Sequence, residues 1–154
     1  MKTISGDTPL AAILARTELT VHPAEFMLIG LNPIERSQIE ARLSGLTGDF
    51  WQYIVEPDVL TLLLNRCDWM RLASDYPQAQ VAGPLRLFSF SVAMDWDVVG
   101  FLAAVTGLLA RAGVPLGAVC GYYRDHLFIA VEHAARAEAV LRSEIDRLKE
   151  SDKE

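Results

Sequence analysis

The sequence predicts an α+β fold of two tandem β-α-β-β units, each an antiparallel sheet with helices on one face. Two observations predict it. Between residues 88 and 131 the apolar period changes from two to about 3.6 and back to short apolar runs, which is strand, helix, hairpin. The same order recurs over residues 24–64, as a repeat of architecture with little identity of side chains.

Each element has a local reason. Residues 7–17 read as a short helix, with Asp7 or Thr8 near its cap and Leu10, Ile13 and Leu14 on one face. Residues 25–31 are apolar and read as a strand. Asn32-Pro33-Ile34-Glu35 then supplies a cap, a proline at the first helical position and an acid at the third, so a helix is expected to about Leu43, stopping near Gly45. Residues 50–55 and 59–64 flank Glu56-Pro57-Asp58 as a hairpin. Residues 67–84 are the least regular stretch and read as the connection between halves, with a short strand at 80–82.

In the second half, Phe88, Phe90 and Val92 alternate with Ser89 and Ser91, a strand with one buried face. Val98, Phe101, Leu102, Val105, Leu108, Leu109 and Ala112 fall at helical spacing. Asp95 can cap that helix and Asp97 places negative charge near its positive end; Gly113 ends it and Pro115 prevents restart. Residues 116–122 and 126–131 form the second hairpin, and a last helix is expected over 133–148, with fraying over 150–154. No strand is visible after that helix, so either the first half donates one or a second subunit fills the edge.

Composition narrows the function. Of 154 residues, 14 are basic and 20 acidic, and the net charge of −6 is spread along the chain. A surface without a basic face disfavours nucleic acid and anionic membrane as partners. The longest apolar run, 98–110, is interrupted by Gly100, Thr106 and Gly107 and is too short to span a bilayer. No secretory signal is visible at the N-terminus, so the cytoplasm is expected. Cys67 and Cys120 lack metal or redox spacing, and Cys120 reads as a small core residue. No triad, metal set or phosphate loop stands out, so neither catalysis nor a cofactor is expected. His22, before Pro23, reads as a loop residue.

The strand-to-helix loop, a glycine in the first helical turns, A-G-V-P before the next strand, and G-Y-Y-R-D-H-L-F-I at 121–129 together resemble an ACT domain. More narrowly the chain resembles small bacterial proteins of tandem ACT type, related to the regulatory part of aspartate kinases and to the cytosolic arginine sensor of animals. The resemblance covers residues 84–142 well and 20–66 loosely. It implies two ferredoxin-like βαββαβ units, over residues 1–80 and 81–150, and a non-catalytic module that senses a small molecule, an amino acid, between ACT units of a homodimer. It implies no reaction.

The resemblance also suggests where a ligand sits. In ACT domains the strand-to-helix loop and first helical turn hold an effector, which here means Ser91, Asp95, Val98, Val99 and Gly100, with Tyr122, Tyr123, Asp125 and His126 as a second wall. Asp95 pairs with an α-ammonium in that reading; by residue type alone Asp95 and Asp97 read first as a helix cap with dipole complementarity, and otherwise as metal ligands or an acid–base pair. M-D-W-D is bulkier and more acidic than the small polar loop of relatives. A structural or interaction subunit that kept the fold and lost the ligand is the alternative. RNA recognition on the same topology needs exposed sheet aromatics in a basic surface, which the charge balance disfavours.

Overall fold

Period-two patterning extends further than residues 25–31 suggest. In a computed structural model of the protein, which describes residues 9–92 and 98–151, the first strand β1 is Glu18–Leu31. Leu19 and Val21 alternate with Glu18, Thr20 and His22, so the strand begins well before Pro23, and His22 lies within it, not in a loop. The order is α1 (Pro9–Arg16), β1, α2 (Arg36–Glu40), β2 (Gln52–Val55), β3 (Leu60–Asn65), α3 (Arg66–Leu72), β4 (Gln80–Ser91), α4 (Phe101–Arg111), β5 (Gly117–Cys120), β6 (Asp125–Ala130) and α5 (Val131–Ser151).

Two compact units result, residues 1–22 with 86–154, and residues 23–85. β1 and β4 each contribute to both. In the second unit the strand order is β2-β3-β1-β4, with β3 antiparallel to β1 and to β2. In the first it is β1-β4-β6-β5, with β5 antiparallel to β6. The strand that the C-terminal half lacks after its last helix is therefore supplied by residues 18–22, next to β4. Each unit thus reaches four strands with helices to one side, the ferredoxin-like arrangement.

In the first unit Phe88 and Phe90 of β4 pack in one cluster with Leu14, Leu127, Ile129, Leu141 and Ile145, and the Phe90 and Phe101 rings meet edge to face at 5.7 Å. α1 packs against α5. Ser89 alternates to the opposite face of the sheet. α4 ends as its sequence requires. The Val114 N–H donates to Leu109 O at 3.0 Å and the Gly113 N–H to Ala110 O at 3.1 Å, with Gly113 at a left-handed φ of 68°. The expected cap, Asp95, lies outside the described residues. Gly100, at φ 96°, stands at the N-cap position.

In the second unit Ile29, Leu31, Ile39, Leu60, Leu62, Leu64, Trp69 and Leu72 form the core. Asn32 caps the turn that follows β1, its side chain accepting from the Ile34 N–H at 3.0 Å. The stretch expected to be an irregular connection is instead α3 followed by the long β4. Asn65 accepts from the Asp68 N–H at 2.8 Å as N-cap, and Trp69 and Leu72, three apart, bury one face. Asp68 is itself buried. Its carboxylate accepts from the Thr47 N–H (3.1 Å), the Thr47 hydroxyl (2.9 Å) and the Gly48 N–H (2.9 Å), and pairs with Arg71. It ties the 46–49 loop to α3.

Candidate functional site

The β5–β6 hairpin closes tightly: the Gly121 N–H donates to Arg124 O at 2.7 Å, leaving Tyr122 and Tyr123 at the tip. A Cβ on Gly121 would lie 3.1 Å from Arg124 O. The two tyrosine rings pack edge to face at 4.8 Å and stand 92% and 79% exposed. Arg124 turns back from the tip, its Nε donating to Ser91 Oγ at 3.0 Å. Beside this contact opens a shallow depression of about 580 Å³ lined by Arg16, Ser91, Val92, Tyr123 and Arg124. All five residues belong to the first unit. Arg16 ends α1, and its Nε is anchored on Ala12 O at 3.2 Å.

Next to Ser91 along β4, Ser89 joins two histidines. Its hydroxyl lies 2.8 Å from His22 Nε2 on β1 and 2.8 Å from His126 Nδ1 on β6, and it is 5% exposed. One hydroxyl proton serves one side and a lone pair the other, so the chain suits two neutral imidazoles. Burial lowers the His22 pKa. Burial, followed by the charges of His22 and Arg124, lowers that of His126, with Asp125 opposing. Both groups resist protonation when folded, so their contribution is complete above about pH 6.5 and is lost as pH falls through the lowered folded values. Wild-type protein is expected to lose more of its urea midpoint between about pH 7.5 and pH 5 than a His22→Gln/His126→Gln variant does. Equal losses would show that these rings do not carry the acid sensitivity.

Residues expected in a ligand site are partly brought together. Ser91 and Tyr123 share the depression, and His126 lies behind it through Ser89. Tyr122 touches Tyr123 without lining the space. Asp125 faces Cys120, and its hydrogen bond, then burial, then its charge raise that thiol's pKa. Cys120 is exposed, so it is not the core residue its apolar neighbours suggested; it sits on β5, which ends the strand order. Val98, Val99 and Gly100 lead into α4, with Val99 88% exposed, and none of the three lines the depression. A Cβ on Gly100 would come 3.4 Å from Leu10. Asp95 lies outside the described residues. Arg16, Val92, Ser89 and His22 went unmarked in the sequence; the Ser89 alternation was the one available signal.

Among the described residues, no three His, Cys, Asp or Glu side chains are grouped as metal ligands, and no helix is long and apolar enough to cross a membrane. Residues 81–143 match the family model of the ACT domain. A crystal structure of a Vibrio cholerae protein of unknown function, described as a possible transport protein, is similar with a TM-score of 0.72 at 23% identity, over 92% of this chain and 99% of that one. An Agrobacterium tumefaciens protein is similar at 0.64 and 18% identity, over 84% and 89%. The regulatory subunit of aspartate kinase from Thermus flavus is similar at 0.59 and 14% identity, over 84% and 95%. These likenesses concern the fold. No curated protein matches the chain in sequence.

Proposed function

We propose, from the ACT domain at residues 81–143, that this chain is a regulatory ligand-binding module whose effector is an amino acid. The observation that carries the reading is a coincidence of place. Four of the five residues lining the depression, Ser91, Val92, Tyr123 and Arg124, fall within the matched stretch. The depression offers what a zwitterion needs on one side: the guanidinium of Arg124 and the Ser91 hydroxyl as donors, with the Tyr123 ring and Val92 as apolar surface. Asp95, three residues beyond Val92 in the chain, is the proposed partner of the ammonium group. In this reading the module works by binding its effector.

Regulation follows from differential affinity: an effector that prefers one arrangement of the units shifts the population toward it. β5, at the end of the strand order, is the proposed contact for a second copy in a cytoplasmic homodimer.

A thermal-shift screen of amino acids tests the reading. Ligand at about 100 times its dissociation constant adds roughly 2.7 kcal/mol of stability, or several degrees for a chain of this size. The expected result is a shift with one group of amino acids that disappears in Asp95→Ala. A flat screen at millimolar ligand, with a dimer by light scattering, would favour an interaction subunit carrying no effector.

A further inference from the structure

We infer that the depression selects a small molecule with two acidic groups on a short carbon chain, such as an amino acid with a side-chain carboxylate. The inference rests on the effector reading above and names the chemical class of the effector. Two arginines distant in sequence, Arg16 of α1 and Arg124 of the hairpin, line one space of about 580 Å³. In a chain with a net charge of −6, two cations converging on one depression run against the overall balance.

Among the described residues neither guanidinium pairs with a carboxylate. Arg16 donates through Nε to a backbone carbonyl and Arg124 through Nε to the Ser91 hydroxyl. Those bonds fix each side chain by its Nε. The terminal nitrogens are left as donors, in the fork that matches an oxyanion bidentately. Four other exposed arginines each pair with a carboxylate: Arg36 with Glu40, Arg42 with Asp75, Arg66 with Glu25 and Arg142 with Glu138. One guanidinium is enough for an α-carboxylate, so the second defines the specificity. Val92 and the Tyr123 ring supply the apolar surface for the carbons between the two acids.

Calorimetric titration of the full chain with L-glutamate, L-glutamine, succinate and inorganic phosphate tests this. L-Glutamate is expected to bind at least about tenfold tighter than L-glutamine, and raising KCl from about 50 to 500 mM should weaken it. Succinate should compete with glutamate better than phosphate does, because phosphate places its charge at one point. Arg16→Gln and Arg124→Gln, both at exposed positions, should each weaken glutamate about tenfold or more at unchanged ligand-free melting temperature. One of the two should erase the preference for glutamate over glutamine. Equal affinity for glutamate and glutamine, or phosphate competing as well as succinate, overturns the two-acid inference. A neutral amino acid that binds without such a preference overturns it while leaving the effector reading standing. Succinate bound with no amino acid bound upholds the two-acid site and overturns the amino-acid reading. Heat from none of the probes overturns both.

Discussion

Replacing Asp68 with alanine is expected to destabilise the protein by about 3 kcal/mol, which for a chain of this size is a fall in melting temperature of roughly 6–12 °C. The effect is large because the carboxylate is 1% exposed and serves several donors at once. Without it the Thr47 and Gly48 N–H groups lose their acceptor, Arg71 loses its counter-charge, and the 46–49 loop is no longer held on α3. The charge itself is needed. Burial raises the Asp68 pKa, but hydrogen bonds from Gly48, Thr47 and Arg71 outweigh it, and the carboxyl is held below its ordinary value. A group whose folded pKa is lowered stabilises above its unfolded value, near 3.9, and that contribution is lost as pH falls through the folded value. Urea titrations from neutral pH into the acid range should therefore fall more steeply for wild type below about pH 4 than for Asp68→Asn. Parallel curves, or a loss below about 1 kcal/mol in Asp68→Ala, would mean that the loop is held by other contacts.

Phe90→Ala is expected to cost about 3–5 kcal/mol. Phe90 is 1% exposed, in edge contact with Phe101 and packed among β6, α1 and α5 residues, so the lost ring leaves a space that the surrounding helices fill only in part. The loss also bears on binding, since Phe90 stands on β4 between Ser89, which joins the two histidines, and Ser91, which lines the depression. Any ligand-induced thermal shift should shrink in this variant, whereas Phe90→Leu, which keeps most of the buried carbon, should retain it. A Phe90→Ala protein that melts within a degree or two of wild type would show a core able to collapse around the vacancy.

Much of this was legible in the residues. Both hairpins, the α4 helix and its end at Gly113, and the Asn32 cap depend on neighbours within a few positions. There the period of the apolar residues and the turn chemistry are the cause of the structure. α3 has local signals, Asn65 three residues before Asp68 and Trp69 three before Leu72, but the turn-like Asp75-Tyr76-Pro77 makes residues 67–84 read as an irregular connection. The start of β1 is hidden in the sequence for a related reason: Pro23 interrupts an alternation that begins at Glu18. Of the residues that line the depression, the family resemblance pointed to Ser91 and Tyr123, and on the same ground to Val98, Val99 and Gly100, which do not line it.

By itself, then, the sequence determined the kinds of elements, their order, and the ACT resemblance of the C-terminal half, all consequences of interactions between near neighbours. Tertiary structure decided which elements share a unit. That residues 18–22 complete the sheet of the C-terminal half, that α1 packs on α5, and that Arg16 and Arg124 line one depression follow from which apolar faces and strand edges remain to be covered once local structure has formed. Pairings as distant as that of His22 with Ser89, 67 positions apart, leave no period in the chain. They are fixed by burial and by the demand of edge strands for hydrogen-bond partners, which only the assembled fold satisfies.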